Sequence, residues 1–278
     1  MDKTFTFARI HTLEQTTSTM DEARRLSARA PSGVVMAEVQ SAGRGRLPGR
    51  VWNTQSGQAL LATAWFPRSA LDGPGPSEAA DLDSEPARPG GRLTAPEPPI
   101  SLMAGLAVTK ACLAWSAFGG YPFRNSLAVK WPNDVLCGQR KLAGILCEAA
   151  GGTIYIGMGI NCSQDSFTGV YRTAPTSILM ETGQAPVRDR LLALILDELD
   201  TLIAGQTNWH MELDQFLAWK GKAVEFRQGL AQGQPHRGTL IGVADDGGIL
   251  LDTGGTMKAF HSDRKSVVEG NSVDIGGR

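Results

Sequence analysis

The sequence lacks the cysteine and histidine patterns of a metal-binding or disulfide-stapled protein. Its cysteines include no Cys-x-x-Cys pair and its four histidines are scattered, and the cysteines are Cys112, Cys137, Cys147 and Cys162. Structural zinc sites and disulfide frameworks depend on close spacings of these two residue types. The pattern therefore argues against a structural metal site and predicts free, buried thiols.

An excess of charge of one sign and a long apolar run are also missing. The formal net charge is −1, so the chain has no global field to attract nucleic acid or acidic membranes, and any anion site must come from a local cluster. No stretch approaches the roughly 18 uninterrupted apolar residues of a membrane span, and the N-terminus does not resemble a signal peptide. We therefore expect a soluble, cytoplasmic protein that binds neither nucleic acid nor membranes.

Length and composition predict one large domain and one small one. The 278 residues are 42% hydrophobic, which is enough for a sizeable core. From 67 to 99 the chain has about eight prolines and few large apolar residues, a composition that predicts a disordered surface insertion. From 221 to 278, short Gly-rich segments around a turn at 245–248 predict a small all-β domain.

Periodicity and turn residues predict the main elements of the large domain. Thr19 with Glu22 three residues later fits a capping box at the start of a helix. Short links after residue 136 imply antiparallel neighbours rather than crossovers. The predicted helices cover residues 19–30, 101–118, 188–206 and 209–220. The predicted strands cover residues 34–39, 59–66, 127–136, 141–149 and 153–162.

A Gly- and Arg-rich segment, GRGRLPGR at 43–50, follows the first predicted strand. Glycines leave backbone N–H groups accessible and arginines stay protonated, so the segment suits a loop that holds an anion. Its glycine spacing differs from that of the dinucleotide fingerprint, and no Gly-Lys-Ser/Thr follows as in a Walker loop. Taken alone, the segment is at least as typical of a mobile, solvated turn.

Two further segments, KWPND at 130–134 and RKLAGILCE at 140–148, flank one predicted hairpin. They bring Lys130 and Lys141 together, and Gly144 interrupts an otherwise apolar strand. A glycine inside a strand often marks a place where a ligand meets the backbone. Each residue taken singly is better explained by solvated edge charges or a turn. Their occurrence with the Arg/Gly segment and with a later GMGIN segment favours one shared site.

The ordered set TTST, AEVQSAGRGR, KWPND, RKLAGIL and IGMGIN resembles the biotin protein ligase family, also called biotin-[acetyl-CoA carboxylase] ligases. The resemblance covers roughly residues 10–270. It implies an α+β fold, with a mixed sheet backed by helices in a catalytic domain over residues 1–220 and an SH3-like domain over 221–278. It also implies an enzyme that uses ATP and Mg²⁺ to form biotinyl-5′-AMP and then transfers biotin to a lysine of the biotin carboxyl carrier protein of acetyl-CoA carboxylase. Whether the protein forms a homodimer stays open.

The resemblance also implies site residues. Biotin contacts are implied for Ser18, Thr19, Gln40, Gly43, Arg44, Gly45, Arg46, Lys141, Gly144 and Gly157. ATP contacts are implied for Arg46, Arg50, Trp52, Lys130, Asn133 and Asn161. The predicted catalytic residues are Arg46, Lys141 and Lys130. Asp134 is a candidate to receive or orient the amine that attacks in the second half reaction, and Trp131 is expected in the core.

Acyl-adenylate chemistry requires positive charge at such a site, because a carboxylate must approach a phosphate. Two unit anions repel by about 1 kcal/mol at roughly 4 Å in water, and several-fold more in a drier site. Arg44, Arg46 and Lys141, with the N–H groups of Gly43 and Gly45, are predicted to offset this repulsion and to stabilise the pentavalent transition state. Mg²⁺ on the triphosphate is expected to stabilise the departing pyrophosphate.

The sequence departs from the family pattern at three points. Leu47-Pro48 adds a residue to the Arg/Gly segment, Met20 stands where the family commonly has Asn, and HSDRKSV at 261–267 replaces a Gly-Glu-Val-Ser type segment. Arg264 or Lys265 is a candidate to supply the contact that this last change removes.

Three other classes of function compete with a biotin ligase. A repressor is disfavoured because only about ten residues precede the first motif, which leaves no room for a DNA-reading helix pair. Lipoate ligases share the fold and the adenylate chemistry, but the GRGR and KWPND segments favour biotin. A non-enzymatic biotin-binding scaffold has no need of Arg46 and Lys141, so their presence argues for catalysis.

Overall fold

A computed structural model of the chain describes residues 9–46, 52, 54–71, 99–205, 208–227, 235–261 and 267–270. Several sequence predictions lie outside these residues. They concern Arg50, Arg264, Lys265 and the predicted insertion over 72–98.

The larger of two β-sheets has seven strands. They are β1 Ile10–Thr16, β2 Gly33–Gln40, β3 Ala59–Pro67, β4 Leu127–Lys130, β5 Asp134–Cys137, β6 Arg140–Ala150 and β7 Thr153–Asn161. Their order across the sheet is β1-β2-β3-β7-β6-β5-β4. Strands β1 and β2 pair in parallel, and the other neighbours pair antiparallel. The sheet is therefore mixed, as predicted.

Helices cover both faces of this sheet. They are α1 Thr19–Ser27, α2 Ile100–Gly119, α3 Ile178–Thr182, α4 Arg188–Ile203 and α5 Trp209–Phe216. Helix α1 packs on β2, β3 and β7, and α2 packs on β4, β5 and β6 and against α4. Within the described residues α2 alone has the length and apolar composition of a membrane span, but most of it is buried in the protein.

The central strand β3 shows why the sheet needs helices on both sides. Its residues from 59 to 66 are all buried. Leu60 and Phe66 point into the main core with α2 and α4, whereas Trp65 packs with Met20 and Ala23 of α1. Because successive side chains of a strand point to opposite faces, such a continuous apolar run requires a cover on each face.

The second sheet is small and antiparallel. Its strands are β8 Ala223–Arg227, β9 His236–Val243, β10 Ile249–Asp252, β11 Met257–Phe260 and β12 Val267–Gly270, in the order β11-β10-β9-β8-β12. The predicted α+β class, with a small all-β sheet of the SH3-like kind at the C-terminal end, is confirmed. The domain boundary at 220/221 stays a prediction.

The two sheets meet at the turn between β4 and β5. The indole of Trp131 is buried, its Nε1 donates a hydrogen bond to the Gly247 carbonyl over 2.8 Å, and its ring packs edge-on against Phe226. The Nζ of Lys130 lies 5.3 Å from the ring centre of Trp219, within the range of a cation–π interaction. The prediction that Trp131 is a core residue is confirmed, and the small sheet supports the KWPND turn.

Several element predictions need correction. The strand predicted over 127–136 is two strands, β4 and β5, because residues 131–133 form a turn. The predicted insertion begins too early, since residues 68–71 form a short 3-10 helix whose Ala70 and Leu71 pack against the core. Helices α1, α4 and α5 each end earlier than the periodicity indicated.

The prediction of a capping box at Thr19 and Glu22 is also wrong. Ser18, not Thr19, is the N-cap of α1, and its side chain makes no capping hydrogen bond. The carboxylate of Glu22 pairs with Arg25 instead of reaching back to the helix start. The Thr19 hydroxyl instead donates to Gln40 Oε1 and accepts from the Thr63 hydroxyl.

All four cysteines are free, and three of them are fully buried. Burial raises the pKa of Cys112, and it raises the pKa of Cys137, Cys147 and Cys162 to about 12. The prediction of free thiols in the interior is confirmed, with Cys147 only partly covered.

We expect the folded protein to resist Ellman's reagent at pH 8, because the reactive thiolate is scarce when burial raises the thiol pKa. Denaturation in guanidinium chloride should release all four thiols, which provides the control. The raised pKa values stabilise the fold below the unfolded thiol pKa, and this stabilisation is lost as the pH rises from there towards 12. A thiol that reacts in the native protein as fast as in the denatured one contradicts the expectation.

Candidate active site

An open cavity lies between the start of α1, the end of β2 and the surface of β6 and β7. Its volume is about 540 Å³, including the part open to solvent. Sequence-predicted residues make up much of its lining: Ser18, Thr19, Gln40, Arg44, Gly45, Arg46, Trp52, Asn133, Lys141, Gly144 and Gly157. The fold therefore brings together residues that are more than 100 positions apart in the sequence.

The floor of the cavity consists of two neighbouring rows of residues across the sheet. One row pairs Thr63 of β3 with Gly157 of β7, and the next pairs Gly159 of β7 with Gly144 of β6. Cross-strand partners share a face of the sheet, so the residues of each row face the cavity together. At the glycines, the bare backbone faces the cavity. The second row continues to Asp134 of β5.

Neutral hydrogen-bonding groups surround the first row. The Thr63 hydroxyl donates to the Thr19 hydroxyl over 2.9 Å, and the Thr19 hydroxyl donates to Gln40 Oε1 over 3.2 Å. The Thr19 N–H also donates to Gln40 Oε1, over 2.7 Å. Because Oε1 accepts both bonds, the Gln40 carboxamide is held in one orientation with Nε2 as its remaining donor.

The same end has an apolar wall. A Cβ atom placed on Gly157 would lie 3.0 Å from Met20 Cε and 3.3 Å from the Leu146 carbonyl. Met20 is only 3% exposed, so its side chain fills the space above the glycine. This end of the cavity combines a fixed series of hydrogen-bonded side chains with a narrow apolar surface. Such a lining suits a small, uncharged ring that contains heteroatoms.

A β-bulge brings a lysine to the second row. In the β5–β6 ladder Val135 pairs with Ala143 but Leu136 pairs with Lys141, so β6 carries an extra residue there. A bulge reverses the alternation of faces, and it places Lys141 on the same side as Gly144. The Nζ of Lys141 donates to Asp134 Oδ1 over 2.7 Å, and both side chains are less than one-third exposed.

Trp52 lies on the bare main chain of the second row. A Cβ on Gly159 would lie 2.7 Å from Trp52 Cε2, and a Cβ on Gly144 would lie 3.0 Å from Trp52 Cζ3. Lys141 Nζ lies 5.7 Å from the centre of the indole ring. The indole Nε1 is buried and has no hydrogen-bond partner within the described part of the chain.

The Arg/Gly segment borders the cavity from the side of α1. Gly43 does not line it, but its carbonyl accepts the Trp52 N–H over 3.0 Å. The guanidinium of Arg44 is directed to Asp21, with two hydrogen bonds of 2.9 and 2.6 Å. Arg44 and Arg46 both contribute to the lining, and the predicted neutralising charge of Arg44 is offset by the Asp21 carboxylate.

Two predicted nucleotide contacts are not placed in this cavity. Lys130 is 8% exposed and faces Trp219 beneath the small sheet. The Asn161 amide is used within the protein, where Nδ2 donates to the Thr176 carbonyl over 2.9 Å and Oδ1 accepts from Gln164. Neither residue is part of the cavity lining, and their contact with the nucleotide stays a prediction.

Asn133 lies in the cavity lining, but part of its side chain is used within the protein. It lines the cavity as predicted, but its Nδ2 donates to the Ile145 carbonyl over 2.7 Å. The Ile145 N–H in turn donates to the Asn133 carbonyl over 2.8 Å. Asn133 therefore ties the KWPND turn to β6 and leaves its Oδ1 as the group that can face a ligand.

Sequence reasoning missed six lining residues: Met20, Thr63, Ile145, Leu146, Met158 and Gly159. Met20 was noted only as a departure from the family pattern. Thr63 is a polar residue inside an otherwise apolar strand, two positions from Leu61, and this signal could have placed it on the α1 face. Gly159 belongs to the GMGIN segment and alternates with Gly157, so period-2 spacing predicts that both face the same side.

Among the residues that the structure describes, no group of three or more His, Cys, Asp or Glu side chains is placed to hold a metal ion. The Asp134 carboxylate at the second row is paired with Lys141. The described lining, with Arg44, Arg46 and Lys141, suits an anion better than a bare cation.

Comparisons with known proteins first define the class. A family model described as the Biotin/lipoate A/B protein ligase family matches residues 100–165, which include α2, β4 to β7 and the second row of the cavity. The fold is similar to that of the biotin protein ligase from Aquifex aeolicus, solved in complex with biotin and ATP, with a TM-score of 0.71 and 22% identity. This likeness covers 95% of our chain and 100% of that one.

Two curated relatives narrow the class. The chain is 32% identical to the biotin-[acetyl-CoA-carboxylase] ligase of Mycobacterium tuberculosis, over 83% of our chain and 79% of the relative. It is 30% identical to the enzyme of the same name from Paracoccus denitrificans, over 86% of our chain and 92% of the relative. The chain belongs to the biotin protein ligase family.

We expect Gly159→Ala to displace the Trp52 indole, because the added Cβ would approach Cε2 closer than van der Waals contact allows. The tryptophan emission spectrum should shift in this variant, and the shift should vanish in a Trp52→Phe background. Gly157→Ala is the matched control, since its Cβ meets Met20 and leaves Trp52 untouched. Equal spectral shifts in both glycine variants would contradict the placement of Trp52.

Proposed function

We propose that this protein is a ligase that joins biotin and ATP to form biotinyl-5′-AMP, and then transfers biotin to a lysine of the biotin carboxyl carrier protein of acetyl-CoA carboxylase. The observation that carries the proposal is the polarity of one cavity, with a fixed neutral hydrogen-bond chain at the first row and Lys141 at the second. The names of the two curated relatives support the same activity.

The first row suits the ring system of biotin. A ureido group offers one carbonyl acceptor and two N–H donors, and it needs complementary groups that are held in place. Ser18, Thr19 and Gln40 lie within reach at this end of the cavity. The bare main chain of Gly157 and the Met20 side chain leave a narrow apolar space for the fused thioether ring.

The second row then receives the acid end of the substrate. With the ring at the first row, the valeryl chain directs the carboxylate towards Lys141. Lys141 Nζ and Arg46, with the N–H of Gly45, lower the repulsion between this carboxylate and the α-phosphate of ATP. A carboxylate oxygen attacks the α-phosphorus, the bond to the bridging oxygen breaks, and pyrophosphate leaves with that electron pair.

The second half reaction needs an uncharged amine. The carrier lysine must lose a proton, attack the acyl carbonyl and expel AMP with the electrons of the broken C–O bond. Asp134 is the carboxylate at the second row, and we assign it to orient this amine. Its hydrogen bond to Lys141 Nζ also holds that ammonium group over Gly144.

Further parts of the proposal rest on the sequence and the family. Mg²⁺ bound with ATP supplies positive charge on the departing pyrophosphate, and no protein ligand for it is assigned. Asn133 and Trp52 are assigned to the nucleotide side, and Lys130 and Asn161 are assigned a supporting position behind it. We also propose a cytoplasmic location, a catalytic domain up to residue 220 and a small domain from 221, and we leave the oligomeric state to experiment.

Incubation of the protein with ATP, Mg²⁺, biotin and a carrier domain should raise the mass of the carrier by one biotinyl group. Omission of ATP, replacement of the carrier lysine by arginine, and replacement of biotin by lipoate are the controls, and each should abolish the increase. Modification with lipoate but not biotin would instead identify a lipoate ligase, and no modification with either would refute the proposal.

Lys141→Ala should reduce biotinyl-AMP formation by about 100-fold or more, because removal of a preorganised charge from a reacting anion typically costs this much. Pyrophosphate release with biotin and ATP, without any carrier, measures this step directly. Lys110→Ala is a matched control, since Lys110 is also partly buried and paired with carboxylates, those of Glu198 and Glu212, away from the cavity. Similar losses in both variants would show that Lys141 acts only through stability.

A further inference from the structure

We propose that Glu181, a residue outside the cavity, is a positioning residue that fixes Lys141 for the first half reaction. The inference rests on the proposed function and extends it, because it names the residue that holds Lys141 in position at the second row.

Glu181 lies on α3, and its side chain is completely buried. Its Oε1 accepts hydrogen bonds from the Thr176 hydroxyl and from Arg140 Nη2, both over 2.6 Å, and its Oε2 accepts one from Asn125 Nδ2 over 3.1 Å. Burial opposes ionisation, but the bonds from Thr176 and Asn125 and the charge of Arg140 outweigh it and lower the pKa of Glu181. The group is therefore an ionised anchor with several donors directed at it.

Two of these donors flank Lys141. Arg140 precedes Lys141 in the chain, and Thr176 binds its backbone directly. The Thr176 N–H donates to the Lys141 carbonyl over 2.9 Å, and the Lys141 N–H donates to the Ala174 carbonyl over 2.8 Å. A single carboxylate thus holds the residue before Lys141 and the segment that pairs with it.

This tether replaces a missing strand. The pairing of β6 with β7 ends at Ala143 and Ile160, so the first residues of β6 have no β7 neighbour. Residues 174–176 take that place, with Lys141 and Pro175 forming a parallel bridge. The β-bulge that turns Lys141 into the cavity lies in this part of β6. Without a fixed neighbour, the backbone at the bulge and the direction of the Lys141 side chain are under-determined.

A purely structural role does not explain the choice of a charged group. Buried ion pairs contribute little to stability, and well-packed apolar residues often serve a core as well or better. A buried carboxylate orients its neighbours, because the donors that bond to its oxygens are held in one geometry. Here the fixed donors belong to the two segments that border Lys141.

A double-mutant cycle tests the inference. Glu181→Gln keeps the shape of the side chain but turns one acceptor into a donor that faces other donors. We expect it to reduce the rate of biotinyl-AMP formation at least about tenfold in the wild-type background and less than about twofold in a Lys141→Ala background. Its effect on the melting temperature should be the same in both backgrounds.

Thr109→Val serves as the control for the loss of a buried hydrogen bond. Its hydroxyl donates to the Gly105 carbonyl within α2 over 2.9 Å, away from Lys141. We expect this variant to lower stability without the dependence on Lys141. If Glu181→Gln reduces the rate by the same factor in both backgrounds, or does not reduce it at all, the inference is overturned.

A second measurement does not depend on enzymatic activity. The rate at which an acetylating reagent modifies each lysine, read by peptide mass spectrometry, reports the surroundings of its Nζ. Glu181→Gln should change the labelling rate of Lys141 severalfold and leave that of Lys110 unchanged. If Glu181→Gln does not fold, Thr176→Val, which keeps the backbone bond but loses the hydroxyl bond to Glu181, replaces it with the same expectation. An unchanged Lys141 rate overturns the inference even if the wild-type protein proves not to be a biotin ligase.

Discussion

The hydrogen bond between Lys141 Nζ and Asp134 Oδ1 is the interaction on which the site depends. It spans two neighbouring strands at the one place where a bulge turns a lysine onto the glycine-lined face of the sheet. A regular β6 would direct Lys141 to the opposite face, where α2 packs. The register of one hairpin therefore decides whether Lys141 faces the cavity.

The KWPND turn contacts both the small C-terminal sheet and the cavity. One side of the turn binds the small sheet through the Trp131 indole and the Gly247 carbonyl. The other side, at Asn133 and Asp134, faces β6 and the cavity. Since these groups are consecutive in a tight turn, the residue that contacts the small sheet and the residues that contact β6 are adjacent in the chain.

The sequence alone predicts the general architecture well, because that architecture follows from patterns with strong physical causes. The apolar run of β3 requires two covered faces, and the helical spacing of α2 and α4 supplies one cover. Most residues of the cavity were also predicted, because the ordered series of motifs resembles one family, and the glycine inside an apolar strand and the clustered cations pointed to the same site. The wrong predictions concern residues whose type is common in two different structural roles.

Thr19 is the clearest example of such a failure. A threonine followed three residues later by Glu22 is a common signal for a helix start, and nothing local shows that its hydroxyl bonds Gln40 instead. The partner lies 21 positions away and is set by the parallel pairing of β1 with β2, which is a tertiary property. The surroundings of Lys130 were not predicted for a similar reason, since they depend on Trp219 in a segment that the motif does not contain.

The distribution of charge at the cavity also has a thermodynamic consequence. Lys141 and Arg44 each have a carboxylate partner, Asp134 and Asp21, so their charges are partly compensated before any anion binds. This compensation lowers the gain from a single anion, because the incoming group competes with an existing pair. It also removes the cost of ordering two long side chains at the moment of binding.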